Sequence, residues 1–414
     1  MGGGMRLVFG LGKSGLGVLR FLARRGLAAE FYDDRPRPED VAAARALGFA
    51  PAGELVPGRY QEVIAAPGVP LDHPLLGKLG APVIGEAELA YRLGQAEIIG
   101  VTGTAGKSST TTLIAELLRA AGLDAEAGGN LGTPLVEVVD RARVAVAELS
   151  SFQLERVERF HPRVAVLLNL GRDHLDRHGS LEAYHAAKLR LLKNLGPKDA
   201  LVYNRADPRV RRAAEASTAK KHPFDPADDP RETNRQAALA AAQAYLALTG
   251  QRADPDRLRA VAEAAPAPPG RFEVVGRRGE LVFIDDSIAT RTLAVAAALK
   301  TAPAPIAWIL GGVDKGADPE ALRPLVAERV ALILAIGRDG PGLARAFSDL
   351  VPVEVVAGDD GLREAVRRAA RKMTRGSVLL APLAASFDQF QDYKERSRVF
   401  REAVREVLWT PSSS

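Results

Sequence analysis

The sequence predicts an α/β protein built on parallel sheets, and three observations carry that prediction. Short apolar strands alternate with helical patterns along the chain, which covers both faces of a sheet. Two glycine-rich loops each lie between a strand and a helix. At 414 residues the chain is too long for one ordinary core, so two or three domains are expected.

The alternation falls into three blocks, taken as residues 1–95, 96–267 and 268–414. The first opens with an apolar strand at 5–10 and a helical pattern to Arg25, then strands at Ala29–Tyr32 and 62–66. The second begins with a strand at Glu97–Thr102 that runs directly into a helix at 109–120. Buried strands at 143–148 and 163–169 follow, then an alanine-rich helix at 234–248. The proline-rich stretch 264–270 reads as a hinge. The third block has strands at 281–285, 306–310, 331–336 and 377–381 separated by helical patterns, and the tail 410–414 reads as frayed.

Composition narrows the function. Fifty-six basic residues nearly match 51 acidic ones, leaving a net charge of +5, which hints weakly at anionic ligands and gives no support for nucleic acid. The absence of cysteine excludes disulfides, thiolate metal sites and a cysteine nucleophile. There is no apolar run of 18 or more residues and no signal-peptide pattern, so a cytoplasmic protein without membrane attachment is expected.

Gly10, Gly12 and Gly15, with Lys13 and Ser14 between, have the spacing of a dinucleotide-binding turn, and Asp33 and Asp34 lie about twenty residues on. Such a turn brings a backbone and a helix N-terminus against a diphosphate. Without a ligand it is a turn that lets helix and strand pack closely. Diphosphate plus ribose describes NAD and UDP equally. The second loop, Gly103, Thr104, Ala105, Gly106, Lys107, Ser108 and Ser109, is a phosphate-loop pattern: N–H groups wrap phosphates, Lys107 neutralises them and Ser108 reaches Mg²⁺. Its spacing departs from the strict motif, because Val101 stands where the first glycine belongs. Two such loops imply two phosphate-bearing ligands.

Polar residues gather where the strands of the second block end. Glu148 closes one strand and Asn169 the next, leading to Asp173, His174, Asp176 and His178. A carboxylate and an imidazole near a phosphate loop suit a divalent cation; a solvated loop with helix-capping acids is the other reading. In a helix expected at 181–192, Lys188 shares a face with Leu181, Tyr184, Leu191 and Leu192, so it either snorkels to solvent or meets a buried partner.

Taken together these residues resemble the Mur ligase family along almost the whole chain. The resemblance rests on both glycine loops, on Ala66-Pro67-Gly68, on Gly128-Gly129-Asn130-Leu131-Gly132 and on Glu148 with Leu149, Ser150, Ser151, Phe152, Gln153 and Leu154. Asp173-His174, Lys188 with its neighbours, Arg271-Phe272-Glu273, Asp286-Ser287, Gly311-Gly312 and Ser386-Phe387-Asp388-Gln389-Phe390 complete it. The segments around Gln153, Phe272 and Phe387 point to the D-glutamate-adding branch.

The resemblance implies three domains: a Rossmann-like UDP-binding domain, a central P-loop ATPase domain and a C-terminal Rossmann-like domain for the incoming amino acid. Its implied substrates are UDP-N-acetylmuramoyl-L-alanine, D-glutamate and ATP, joined through an acyl phosphate, with a monomer expected. By similarity, Gly12, Lys13, Ser14, Gly15, Asp33, Arg35, Pro67 and Gly68 hold the UDP part. Asn130, Ser150 and Gln153 meet the sugar-peptide arm. The 103–109 loop, Asn234, Arg271 and Asp286 hold ATP. Two Mg²⁺ are implied, on Ser108 and Glu148 and on His174 and Lys188, the lysine as a carbamate formed with CO₂. Thr290, Lys315, Ser386 and Tyr393 receive D-glutamate, and Lys107, Lys188, His174 and Lys315 form the catalytic set. Ala105, Ala237 and Ile288 depart from the family pattern, where asparagine, asparagine and lysine are usual, so ATP affinity does not carry over. Arg291 is a candidate to replace the cation missing at Ile288. Another ligase of the family with a different acceptor, or a UDP-sugar-binding homologue with weakened catalysis, are the competing readings. A dehydrogenase gives the 103–109 loop no use.

Overall fold

The structure, a computed structural model, describes residues 4–265 and 270–409. The expected hinge at 264–270 falls largely on residues 266–269, which lie outside the described residues, as does the tail at 410–414. Three sheets carry the described chain. The first has five parallel strands in the order Ala50–Pro51, Ala29–Tyr32, Arg6–Phe9, Glu62–Ala65, Val83–Ile84. The second has six, all parallel: Lys220–Phe224, Ala200–Asn204, Val164–Leu167, Glu97–Thr102, Val144–Glu148, Ala125–Gly129. The third orders Glu273–Arg278, Glu280–Asp285, Arg375–Leu380, Ile306–Gly311, Val330–Ile336 and Val353–Val355.

Central strands such as Val144–Glu148 are buried on both faces, which is why they read as near-continuous apolar runs. One expectation is corrected here. The third sheet is not wholly parallel, because Glu273–Arg278 pairs antiparallel with Glu280–Asp285 through a turn at Gly279, whose φ of 59° suits glycine. The helix expected at 181–192 is α-helical only over Leu181–Leu189 and tightens to a 3₁₀ turn at Arg190–Leu192. The alanine-rich helix is longer than read, Pro230–Thr249, capped by the Asp229 side chain and stopped by Gly250 in the left-handed region.

The chain divides into two compact units between Ala265 and Pro266. Within the first unit the first two sheets share a core, with Leu22, Ile84 and Leu89 in one cluster with Leu135, Leu154 and Phe160. A buried carboxylate reinforces the join. Glu88, on the helix Glu86–Leu93, accepts backbone N–H groups from Glu158, Arg159 and Phe160 at 2.7–3.0 Å and pairs with Arg92. Burial alone would raise its pKa; those donors outweigh it and leave the value lowered.

Candidate active site

The first glycine loop lies at the carboxyl edge of the first sheet. The helix Lys13–Arg24 starts immediately after Gly12, so its unpaired N–H groups face the loop. A Cβ on Gly15 would sit 1.9 Å from the Gly10 carbonyl oxygen, so only glycine allows this helix to approach the strand so closely. Gly12 has open space on its Cβ side, and the buried Ser14 hydroxyl has no hydrogen-bond partner. Asp33 accepts the Leu11 and Arg35 N–H groups at 2.7 and 2.8 Å, which ties the ends of two neighbouring strands together. Arg35 and Gly68 are exposed and Pro67 is half-buried in the turn after Glu62–Ala65. Lys13 reaches toward the 128–132 turn, with Nζ 3.1 Å from where a Cβ on Gly132 would stand.

The second loop closes the strand Glu97–Thr102 and opens the helix Lys107–Ala120. Asn169 clasps it: Ala105 N–H donates to Asn169 Oδ1 at 2.8 Å and Asn169 Nδ2 donates to the Ala105 carbonyl at 3.1 Å. Thr104 Oγ1 accepts Gly171 N–H, and the Tyr184 hydroxyl lies 3.2 Å from it. Gly106 has a φ of 83°, and a Cβ there would fall 2.5 Å from Asn234 Oδ1. Asn234 therefore stands over the helix start, while Ser108 is buried and Ser109 half-buried on its first turn. Lys107 Nζ donates to the Gly103 and Thr104 carbonyls at 3.0 and 3.2 Å.

Beside this loop lies Lys188. Its side chain does not snorkel: at 2% exposure, Nζ donates to the same Gly103 carbonyl at 2.8 Å and stands 4.7 Å from the Tyr184 ring centroid. Burial, and after it the charge of Lys107, pushes its pKa well below the ordinary lysine value, against the pull of Asp173 and Glu148. Glu148 is buried; Oε1 accepts Asn130 Nδ2 at 2.8 Å, and Oε2 has no hydrogen-bond partner. A buried carboxylate oxygen left in that state calls for a cation or donor.

His174 sits at the foot of the helix Leu175–His178 with a φ of 50°, a conformation costing a non-glycine residue about 1–3 kcal/mol. The Phe152 and Tyr184 rings flank it at 4.8 and 6.3 Å, and Nε2 lies 3.4 Å from Asp173 Oδ2. Among the described residues no group of three or more His, Cys, Asp or Glu forms a ready metal cage. Mg²⁺ needs no such cage, since it takes one or two protein carboxylates and fills its shell with water and substrate phosphates. Ser150 and Gln153 have a structural use: they form the capping box of the helix Ser151–Leu154, with Gln153 Oε1 accepting Ser150 N–H at 2.9 Å.

In the second unit, Asp286 follows the strand Glu280–Asp285 and accepts Phe272 N–H at 3.1 Å, with Arg271 beside it. Lys315 is exposed, and Nζ stands 5.0 Å from the ring centroid of Phe387, itself 64% exposed. Arg291 Nη1 donates to the Lys315 carbonyl at 3.3 Å, so the two cations share one neighbourhood. Ser386 is buried beside Phe387; Thr290 is half-buried; Tyr393 begins the helix Tyr393–Trp409.

Burial pushes the Asp286 carboxyl up to about 7, against the Phe272 N–H and Arg271. Its ordinary value is 3.8, so between pH of about 4 and 7 the folded chain holds a proton that the unfolded chain releases. The Asp286 contribution to stability is thus expected to decline as pH rises through that window. Thermal unfolding of Asp286→Asn against wild type checks this: the variant should gain most at pH 7 and above and least near pH 4.

Sequence reasoning passed over Asn169 as a loop clasp, Tyr184 as a ring under Lys188, and the buried arginines Arg156 and Arg396. Arg396 Nη1 and Nη2 donate to the Ala384 and Ser287 carbonyls at 3.1 and 2.8 Å. A charged residue at helical spacing looks like a solvated face, and only its backbone acceptors, remote in sequence, show otherwise.

Comparison with known proteins places this geometry. Residues 5–85 match the N-terminal domain of MurD-like Mur ligases, and residues 101–253 match the Mur ligase middle domain. A UDP-N-acetylmuramoylalanine–D-glutamate ligase from Thermus thermophilus is 64% identical, covering 99% of this chain and all of the relative. The chain belongs to the Mur ligase family. The same-named ligase from Deinococcus radiodurans is 48% identical over 100% of this chain and 94% of its own. Solved structures share the Mur ligase fold at low identity. A pseudomurein peptide ligase type C from Methanothermus fervidus aligns over 98% of this chain and 100% of its own, with a TM-score of 0.62 at 16% identity. A MurF ligase from Thermotoga maritima, in complex with ADP, covers 98% and 96%, with a TM-score of 0.59, also at 16% identity. Mur ligases use ATP and Mg²⁺. No helix among the described residues is long and apolar enough to cross a membrane.

Proposed function

We propose that this Mur ligase joins D-glutamate to UDP-N-acetylmuramoyl-L-alanine at the expense of ATP. The observation that carries the ligase reading is the cluster on Gly103, where Lys107 and Lys188 share one carbonyl beside Glu148 and its unpartnered oxygen. The acceptor is supported by full-length relatives that bear that name. The three sheets are assigned accordingly: 1–95 to the UDP moiety, 96–267 to ATP and 268–414 to the incoming amino acid.

A carboxylate does not acylate an amine directly, because its leaving group would be oxide. The muramoyl-alanine carboxylate oxygen attacks the γ-phosphorus and ADP departs, leaving an acyl phosphate. The D-glutamate amine then attacks the carbonyl carbon, loses a proton, and expels phosphate. Lys107 and the N–H groups of the 103–109 loop hold the phosphates in line and offset their charge. Asn234 positions the nucleotide at the same helix start. Ser108 with Glu148, and His174 with Lys188, would hold two Mg²⁺, which supply further neutralisation of phosphate charge. Lys188 would serve that role as a carbamate. Its depressed pKa favours the neutral amine, which adds to CO₂ and releases a proton, converting an ammonium into an oxygen donor.

The test is phosphate release with ATP, Mg²⁺ and UDP-N-acetylmuramoyl-L-alanine against a panel of acceptor amino acids. D-glutamate alone should support turnover. Turnover with another acceptor and none with D-glutamate would reassign the ligase; no turnover despite UDP-sugar binding would mark a weakened homologue. Within this reading Lys315 carries the acceptor carboxylate, since Thr290 and Ser386 offer only hydroxyls and Ile288 brings no charge. Lys315→Ala should raise the D-glutamate KM roughly thirtyfold with the ATP KM little changed. Arg291→Ala should do less. The reverse ranking would move the acceptor cation to Arg291.

A further inference from the structure

Arg177 lies three residues beyond His174 and belongs to neither ligand set, yet it joins the two halves of the first unit. Nη2 donates to the Val69 carbonyl at 3.2 Å and to Glu155 Oε2 at 2.9 Å, and the guanidinium stands 5.3 Å from the Phe152 ring centroid. Each contact leads somewhere specific. Phe152 packs on the His174 ring at 4.8 Å. Glu155 also meets His178 Nδ1 at 3.2 Å, while His178 Nε2 lies 2.9 Å from Ser151 Oγ, so the short helix after His174 is anchored at its far end. Val69 belongs to the turn after Glu62–Ala65, which rests on the first glycine loop: from a Cβ on Gly10, Ala66 Cβ would lie 2.9 Å away and Val69 Cγ2 3.2 Å. Arg156 holds the same turn, donating to the Val69 and Pro70 carbonyls at 2.7 and 3.0 Å.

The left-handed backbone at His174 persists because its surroundings hold it there. The Val69 carbonyl thus links the turn beside the Gly10–Gly15 loop to Arg177, and Arg177 to the element that holds His174 strained, so a displacement of that turn would be felt at His174. We infer that Arg177 is a positioning residue that couples occupancy of the UDP-sugar site to the geometry of the His174 turn, so that the UDP substrate and Mg²⁺-nucleotide strengthen each other's binding. This rests on the functional reading above for the identity of the two ligands.

Calorimetry on the full chain tests it, titrating UDP-N-acetylmuramoyl-L-alanine with and without saturating Mg²⁺–ADP. In the wild type, ADP should tighten the UDP substrate by on the order of tenfold, and the reverse titration must give the same factor. In Arg177→Met that factor should fall below about threefold while each ligand alone still binds within about threefold of wild type. Arg177→Lys keeps a cation that reaches Val69 and Glu155 and should recover most of it. Glu155→Gln, which loosens Arg177 without touching Val69, should lower it as well and serves if the methionine variant folds poorly. A wild type with no coupling, or an Arg177→Met chain with the full factor, overturns the inference. A wild type that binds Mg²⁺–ADP but no UDP-sugar overturns the functional reading itself, and the inference with it.

Discussion

Lys107→Ala is expected to lower ATP-dependent turnover by roughly two to three powers of ten while leaving the fold intact, the usual effect of removing one preorganised charge from a phosphoryl-transfer site. The fold should survive because Lys107 is only half-buried, and the two hydrogen bonds it donates go to carbonyls three and four residues before it. Loss of this ammonium removes one of the groups that hold the phosphates, so the ATP KM should rise along with the fall in kcat. The two lysines on Gly103 add a signature that a general defect would not produce. Without Lys107, the neighbouring positive charge that helps depress the Lys188 pKa disappears, and that pKa should rise toward its ordinary value. Steady-state kinetics with circular dichroism checks the first expectation. Wild-type turnover in a folded Lys107→Ala chain would remove the 103–109 loop from the mechanism.

Lys188→Ala should lose roughly a hundredfold or more in turnover and regain part of it when formate or acetate is added, because a small carboxylate can supply the missing oxygen donor. Arginine at the same place should not be rescued, since its side chain fills the space. Isotopically labelled bicarbonate should give a carbamate carbon signal in the wild type that is absent from the alanine variant. Normal activity of Lys188→Ala without additive would leave Lys188 a buried packing lysine whose Nζ merely satisfies the Gly103 carbonyl. The neutral amine needed for CO₂ addition comes from a specific place in the fold. Tyr184 packs over the side chain and Lys107 repels its charge, so the ammonium loses both solvation and favourable field.

Much of the fold was legible because its signals are local. The strand Glu97–Thr102 carries six mostly apolar residues between a helix and a glycine loop, and its bounds follow from that pattern alone. The edge strand Lys220–Phe224 could not be read in the same way: Lys220, Lys221, His222 and Pro223 are polar or lack a donor, as edge strands tolerate. Ala125–Gly129 was hidden by its two glycines. The antiparallel hairpin at Glu273–Arg278 follows from one glycine turn, whose consequence depends on which neighbour the returning strand finds.

The site divides along the same line. Glycine spacing, Lys107 and the inward face of Lys188 announce themselves by sequence period, since each depends on neighbours within a turn or two of helix. Glu148 and His174 drew notice by their place at the ends of apolar strands beside the phosphate loop, whereas family likeness alone supplied the role of Lys315. What only tertiary structure decided is which polar atoms are satisfied and by whom. Gln153 lies within a capping box, Asn130 on Glu148, and Arg156 and Arg177 on carbonyls 66–70, which are 86 to 108 residues away in sequence. The sequence by itself determined the α/β class, the two phosphate loops and the family, because repeated local geometry encodes them. The tertiary structure alone decided that Lys188 is enclosed rather than snorkelling and that Glu148 keeps one buried oxygen unpartnered. Burial and hydrogen-bond satisfaction are properties of the packed chain, set by segments that meet only after folding.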